Sequence, residues 1–566
     1  MSGVAKILGP NGQAIPSADI ARSRARALIG QGATPYDAAD WSSPEMAGWN
    51  PWLGSPDAEK NPFRDLSVAR IRDLVRNDGW AAGAVMKITD ATIGGDFRFS
   101  SRPDYRALRR RYGASFDAVW AKEFADAYEA GFRTWATDPA RFNDTSRRLS
   151  WNQQARLAFG NYLVEGECLG IIGYRPERVG YGRARYATTL QVVDPDRLSN
   201  PGTILDSQLI RGGIEIDMDG VPIAYHFRRG HQNDYFNGAA SVVWDRVDRE
   251  TDWGRPIVIH FMDDDRAGDH RPIGGIFTPV LARMRMLAQY DRVELQAAMV
   301  AAIFGVYVES PFDSDMVANS LGDDETLSNY QTMRREFHDQ RQLMAGNVRV
   351  ANMFPGEKIN SVSSNRPPAA FEAFESAMLR NLASAAGETY ETVSSNYRGQ
   401  NYSGARQAMV TTWKTMDRRR LHFGDAYCSP VAAALGEEMM DRGELPLPAG
   451  APDWVEARAE YSRCRWIGPG RGWVDPVAEP EGSLKKIAGG LSTLEREAEQ
   501  NDGLDWEETL DQRQLEQAAL VARGLTVVMT PVGGDQAAGQ GGDGGEKPAD
   551  PTDPARDKAE REEETT

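Results

Sequence analysis

Two long helical patterns with a strand-rich stretch between them constrain this chain more than any other feature. The first runs from about Pro279 to Phe304, and the second starts at Pro368 with Phe371, Phe374, Met378 and Leu382 on one stripe. Between them "GVYVES" reads as strand, "ETLSNYQTMRREFHDQRQLM" as helix, and "NVRVANM" and "EKINSVS" as strands. The apolar run "LQAAMVAAIFGVYV" (Leu295 to Val308) has 14 residues, short of the ~20 that span a bilayer. It is expected to be a buried helix running into a strand. A small αβ domain is therefore inserted between two helices, with no membrane segment.

After the second helix comes "SSNYRGQNYSGARQAM" (Ser394 to Met409), which matches neither helix nor strand. Gly399 and Gly404 loosen the backbone, the asparagines tolerate turn geometry, and Tyr397, Tyr402, Arg398 and Arg406 are suited to stacking or hydrogen bonding. A phosphate cradle, a substrate lid and a finger touching a polymer all remain open on these residues alone. A third long helix, "ARQAMVTTWKTMDRRRLHF", follows.

N-terminal to all this, the first 60 residues are rich in Pro, Gly and Trp without periodicity and are expected to be an irregular arm. Helical spacing appears from Pro62 to Met86, with "NDG" at Asn77 to Gly79 as a stop, and again from Phe116 to Trp135 with Val119, Trp120, Phe124, Tyr128 and Phe132 on one side. From Asn161 to Met262 the pattern changes to strands. "GGIEIDMDGVPIAYHF" alternates on both sides of Asp219-Gly220, which predicts a two-residue hairpin turn. The C-terminal part carries the helical segments "GSLKKIAGGLSTLEREAEQ" and "WEETLDQRQLEQAALVARGL"; from Pro531 the sequence is Gly/Asp/Glu/Pro-rich and reads as disordered. The fold class is α+β.

A length of 566 residues with 41% hydrophobic and 26% charged content fits a soluble globular chain of more than one domain. The net charge of −17 excludes a chain-wide basic field for nucleic acid. Cys168, Cys428 and Cys464 are far apart with no C-x-x-C, so neither a zinc site nor a disulfide framework is supported, and a reducing compartment fits. The start "MSGVAKILGPNGQAIPSADI" has no apolar core behind a basic stretch, so export by a signal peptide is not expected.

Short catalytic signatures are missing: no P-loop, no G-x-S-x-G elbow, no H-E-x-x-H. The most enzyme-like stretch is "HFMDDDRAGDH", where His260, Asp263, Asp264, Asp265, Asp269 and His270 suggest a divalent ion and an activated water, as in a metal-dependent nuclease. The plainer reading is a strand end and a polar turn, since consecutive Asp residues point in different directions. "YRALRRRYG" gathers Arg106, Arg109, Arg110 and Arg111, either a nucleic-acid patch or a solvated helix face. "DRRRLHF" places cations where a helix is expected to end, which suits the dipole, and "GPGRGW" reads as a turn.

In this order of parts the chain resembles a lambda-type tailed-phage portal protein, from about Arg22 to Leu525. The resemblance rests on "ARIRDLVRNDGWAAGAV" (Ala69 to Val85), "SWNQQARLAFGNYLVEGECLGII" (Ser150 to Ile172), "VVDPDRLSNP" (Val192 to Pro201), "MRMLAQYDRVELQAAMVAAIFGVYVES" (Met284 to Ser310), "AGETYETVSSNYRGQNYSGAR" (Ala386 to Arg406) and "AGGLSTLEREAEQNDGLDWEE" (Ala488 to Glu508). None is a catalytic motif, and six in register make the match specific.

What the resemblance implies is a portal fold with wing, two-helix stem, clip and helical crown, assembled as a ring of twelve at one capsid vertex. Double-stranded DNA is packaged and ejected through that ring. By analogy the parts are an N-terminal arm (1–60), a mixed wing (61–278), a first stem helix (279–304), an αβ clip (305–367) and a second stem helix (368–393). A tunnel loop (394–404), a long wing helix with its extension (405–450), a wing and crown region (451–530) and an acidic tail (531–566) complete the order. A 26-residue helix is about 39 Å long and about 10 Å across, so twelve side by side enclose a bore of about 28 Å, wider than duplex DNA at about 20 Å.

The implied DNA-facing residues are Tyr397, Arg398, Gly399, Gln400, Asn401 and Tyr402, unless the loop only packs on a ring neighbour. The implied clip surface carries Arg334, Arg335, Glu336, His338, Asp339 and Arg341, facing the terminase large subunit and later head-completion or adaptor proteins. Major capsid and scaffold proteins are further implied partners, with the virion as location and the host cytoplasm during assembly. Portal N-termini of this type can be trimmed during maturation. No cofactor, no catalytic residue and no membrane are implied. The rivals are a metal-dependent nuclease using His260 and Asp263 to Asp265, and another ring-forming head-tail adaptor.

Overall fold

In the computed structural model, residues 46, 48–203, 205–303, 306–309, 370–398 and 402–525 are described, with short pieces between 328 and 361. The N-terminal arm up to 45 and the tail from 526 lie outside the described residues. The chain divides into a unit ending at Arg471 and a second unit starting at Gly472. Both helix and sheet are present.

Helix α1 (Pro56–Asn77) begins six residues before the expected Pro62, because Pro56 occupies the first turn, where its missing N–H costs nothing, and Asp57 and Glu59 complement the dipole. The expected stop holds. Asp78 leaves the helix in an extended conformation and its carboxylate accepts the backbone N–H of Trp80 (2.9 Å) and Ala81 (3.0 Å), so α2 (Gly79–Thr92) starts at once.

The main core is aromatic. Strand β1 (Arg98–Ser101) and helix α3 (Tyr105–Tyr112) lead to α4 (Ala118–Ala136). On α4, Trp120, Phe124, Tyr128, Phe132 and Trp135 recur at helical spacing and are all buried, whereas Val119, expected on that stripe, is 66% exposed. Phe99, Trp151 and Trp466 join them, with ring centroids 4.8–5.6 Å apart among themselves and to Phe132. Helix α5 (Trp151–Glu165) enters through a Ser150/Gln153 capping box and ends at left-handed Gly166.

Strand β2 (Glu167–Tyr174) is the centre of an antiparallel sheet between β3 (Thr188–Val193) and β8 (Val258–Met262). A second antiparallel sheet runs β4 (Ile210–Arg211), β5 (Ile214–Ile216), β6 (Pro222–Arg228), β7 (Trp244–Asp248). The β5–β6 hairpin has a three-residue loop rather than the expected two. The Asp217 carboxylate accepts the N–H of Asp219 and of Val221 (2.9 and 2.8 Å), Gly220 is left-handed, and Met218 falls in the turn at 80% exposure.

Helix α6 (Leu281–Ile303) and α7 (Ala370–Ala386) run antiparallel. Met284 and Leu287 near the start of α6 are buried, as are Leu379, Leu382 and Ala386 on α7, and Tyr290 stacks on Phe371 (5.7 Å) and meets Phe374 edge-on (5.0 Å). Between them β9 (Val306–Glu309) pairs with β12 (Lys358–Ser361), and β10 (Leu343–Ala345) with β11 (Val348–Val350). The expected helix over 325–344 is therefore overrun at its end by β10.

After the short helix α8 (Tyr390–Ser394), α9 (Tyr402–Phe423) does not end at "DRRRLHF" as expected. It continues through a π turn (Gly424–Cys428) into α10 (Ser429–Asp441). Pro430 in the first turn of α10 cannot continue an α ladder, and the widened turn accommodates it, with the Ser429 hydroxyl donating to the Gly424 carbonyl at 2.8 Å. Gly424 is required here because a Cβ would meet the Trp466 ring at 2.8 Å. Arg420, expected to face its own helix end, donates instead to the Thr92 and Ala91 carbonyls (both 3.0 Å), closing the C-terminus of α2. Helix α11 (Arg458–Tyr461) and β13 (Cys464–Ile467), which pairs with β1, complete the first unit. Cys168 and Cys428 are buried, Cys464 partly so, and all three are free thiols.

In the second unit α12 (Ala478–Ala488) stops at Gly489-Gly490, splitting the expected helix. Then follow α13 (Leu494–Glu497), a π turn and α14 (Trp506–Ala522), capped by Asp505 and with no buried residue. Among the described residues no helix is long and apolar enough to cross a membrane.

One buried charge ties the first unit together. Glu167 has no exposed surface. Its carboxylate receives Arg64 Nη2 (2.7 Å), Arg271 Nε (3.1 Å) and His260 Nε2 (2.9 Å), while Arg271 also donates to the Leu198, Gly212 and Pro195 carbonyls. Burial pushes the Glu167 carboxyl up, but Arg271 and Arg64 outweigh it and hold the group well below the usual carboxylate range. Replacing Glu167→Gln leaves the buried Arg271 guanidinium without its carboxylate and Arg64 with only Asp65 and Asp196, at 3.5 and 3.9 Å, and we expect urea unfolding to show a loss of about 3–5 kcal/mol.

Candidate functional site

The connection after α8 is shorter than its sequence suggests, because α8 ends at Ser394 and α9 starts at Tyr402. Its root is built step by step. Helix α7 ends at left-handed Gly387, and Thr389 then caps α8 through the Thr392 N–H at 3.3 Å. Tyr390 folds α8 back on α7: its hydroxyl lies 3.1 Å from Ser376 Oγ, the Arg380 guanidinium sits 5.3 Å from its ring, and Val393 is buried. Ser395 adopts a left-handed conformation (φ 54°), which disfavours a non-glycine residue by roughly 1–2 kcal/mol. Lys87 of α2 meets that strain, donating to Ser395 Oγ (2.7 Å) and to the Thr392 carbonyl.

Beyond the root, Asn396 accepts the Arg398 N–H on its side-chain oxygen (3.1 Å), an Asx turn. Tyr397 is 64% exposed and Arg398 is exposed. Two of the expected contact residues are thus exposed to solvent. Gly399, Gln400, Asn401 and the side chain of Tyr402 lie outside the described residues. In the stretch between α6 and α7, Arg335 is an exposed helical residue, and Arg334, His338 and Arg341 lie outside the described residues.

The metal-site expectation at "HFMDDDRAGDH" is not met by the geometry. This stretch lines a cleft of about 1030 Å³ together with Arg418, His422 and Asp425, but its residues are drawn to separate partners. His260 turns to Glu167; Asp263 accepts the Tyr162 hydroxyl (2.5 Å), with Arg418 and His422 at 3.9 and 3.8 Å; Asp265 and Asp269 both take Lys60; His270 bonds Asp57 (2.9 Å). Burial pushes Asp269 up, and the hydrogen bond to Asp57 pushes His270 up. Successive acids at a strand end diverge, so no three of these groups converge on one point. The Arg106, Arg109, Arg110 and Arg111 patch is a solvent-facing helix side, with Arg111 3.8 Å from Glu456.

Among the described residues the carboxylates that do converge are Glu165, Asp194 and Asp196, and their centre is filled by a guanidinium. Arg72 donates to Glu165 (2.6 Å), Asp194 (3.1 Å) and Asp196. Burial, followed by the two aspartates, outweighs Arg72 and pushes Glu165 up to about 7. Neither this group nor Lys87 carried a sequence signal, since their partners are 93 to 308 residues away.

Residues 42–420 match the family described as "Phage portal protein, lambda family". The chain is 28% identical over 488 residues to "Portal protein B" of Escherichia phage lambda, covering 85% of this chain and 89% of that protein. It is 28% identical over 488 residues, with the same coverage, to "Portal protein" of Escherichia phage N15. Among solved structures it is 12% identical, with a TM-score of 0.42, to a chain of "Neck of native GTA particle computed with C12 symmetry", covering 80% of this chain and 96% of that one.

Two outcomes follow from the geometry. Replacing Lys87→Met removes the bonds to Thr392 and Ser395, and hydrogen exchange at the amides of 392–398 should accelerate while exchange in α4 does not change. Glu165 has a folded value above its ordinary 4.5, so its stabilisation is complete below that value and is lost as pH rises through about 7. Glu165→Gln removes this loss, and urea unfolding from about pH 5 to about pH 8 should show the variant gaining on the parent.

Proposed function

The chain belongs to the lambda family of phage portal proteins, and we propose that its copies close into a ring of twelve at one capsid vertex through which double-stranded DNA passes. In this reading α6 and α7 are the stem, the stretch between them is the clip, the mixed sheets and α1 to α5 with α9 and α10 are the wing, and the second unit contributes the crown. The loop 395–401 faces the lumen. The protein has no chemistry of its own; the terminase large subunit supplies the motor and meets the clip, as do head-completion proteins later. Capsid and scaffold proteins surround the ring, assembly takes place in the host cytoplasm, and the finished location is the virion.

The observation that carries this reading is the extent of the family match. Residues 42–420 take in both long helices, the inserted strands, the loop and most of α9 in one register. The chemistry agrees with passage rather than grip. Each phosphate neutralised by Lys or Arg adds counterion-release affinity and so drag, and a chain of net charge −17 avoids it. Arg398 and Tyr397 supply sparse contacts from a root that Lys87, Thr389 and Asn396 hold still.

The test is native mass spectrometry with particle images down the ring axis, followed by Arg398→Glu in a packaging assay. The parent should give closed rings of about twelve with a central hole. The Arg398→Glu ring should close equally well and package or retain less DNA. A variant ring that packages and retains DNA as the parent does removes the DNA-contact role from Arg398.

A further inference from the structure

Helix α6 is charged in a way its own chain does not answer. Arg285 and Arg292 are seven residues apart, on one stripe of the helix, and both are exposed without a carboxylate partner among the described residues. Beside them run Met286 and Val293, again seven apart and 64% and 61% exposed. An apolar pair flanked by two arginines is left uncovered over two turns of a helix that elsewhere packs Met284 and Leu287 completely.

The two helices also carry a separate cluster of uncompensated opposite charge. Asp291 of α6 and Glu375 of α7 are half-buried, Glu372 is exposed one turn before Glu375, and none of the three has a cation partner among the described residues. Asp291 Oδ1 is buried without a hydrogen-bond donor. Burial pushes Asp291 up, with Asp78 adding to it; burial likewise pushes Glu375 up, with Asp291 and Glu372 adding to it. Half-buried carboxylates repelling one another are costly to leave unpaired.

We propose that these two faces are made for each other in neighbouring copies of this chain: Arg285 and Arg292 of one copy pair with Asp291, Glu372 and Glu375 of the next, and Met286 and Val293 are buried between them. The contact is heterologous, one face against a different face, so it repeats around an axis rather than closing a dimer. The inference rests on the ring reading above and adds which side chains set the seam and its direction. Guanidinium groups suit the task because their planar forks engage two carboxylate oxygens at once.

The test uses two full-length variants. Arg285→Glu/Arg292→Glu makes both faces acidic, and Glu372→Lys/Glu375→Lys makes both basic, so each should repel its own kind. Native mass spectrometry at low salt should show rings reduced at least about tenfold for each variant alone, since the repulsion recurs at every seam of the ring. Mixed one to one, the two variants should restore rings holding equal numbers of each, because every unlike pair is then complementary. Near-UV circular dichroism confirms that each variant is folded, and about 1 M salt should return part of the ring population by screening the repulsion.

A parent that rings while both variants ring equally well overturns the seam and leaves the ring reading intact. Folded variants that fail to ring alone and fail to ring when mixed also overturn the seam. A parent that forms no ring in the presence or absence of its capsid scaffold overturns the ring reading, and the seam with it.

Discussion

Glu167 is the first residue of β2 and has no contact with water, yet it is held ionised. Three groups reach it from α1, β8 and the loop after β8, and Arg271 goes on to satisfy three carbonyls of the 195–212 stretch. Desolvating two guanidinium groups and a carboxylate costs several kcal/mol per ion, returned only when every partner is in place. The arrangement is therefore all or none. If α1 shifts, Glu167 loses Arg64 and is left to Arg271 and His260; if the loop after β8 shifts, it loses Arg271 and the 195–212 carbonyls lose their donor. The relative placement of both sheets and the first helix is set by this charge balance as much as by apolar packing.

The aromatic core holds the other half of the unit by a different means. Phe99, Tyr128, Phe132, Trp151 and Trp466 come from four separate elements, and their edge and tilted contacts at 4.8–5.6 Å tolerate small adjustments that a guanidinium fork does not. A geometrically strict centre under the sheets and a more adaptable one under the helices together leave α6, α7 and the loop after α8 projecting from a fixed base.

How much of this could be read in the sequence depends on how far apart the cooperating residues lie. Helix α4 was legible because Trp120, Phe124, Tyr128 and Phe132 repeat at a helical period; only Val119, one position off the stripe, was misplaced. The stop at "NDG" was legible from local chemistry. The hairpin was found but its loop miscounted, since an Asp217 side chain that closes a three-residue turn looks the same as a strand residue in alternation. Arg420 was assigned to the dipole of its own helix because nothing local reveals that the helix continues, or that the carbonyls it satisfies lie 328 residues earlier. Among the site residues, Tyr397 and Arg398 are exposed. Lys87 and Ser395, which hold them in place, are 308 residues apart and unreadable without the fold.

The π turn at 424–428 has a mechanical meaning. One extra residue within a continuous hydrogen-bonded run turns the buried face by about 100° without breaking the rod, so α9 lies against α2 while α10 lies against α4. A flexible joint at this point would absorb a push. A wide turn, filled by the Ser429 hydroxyl and shut against Trp466, transmits it. A push along α9 would therefore be carried as axial compression, through one continuous strut, into the aromatic core.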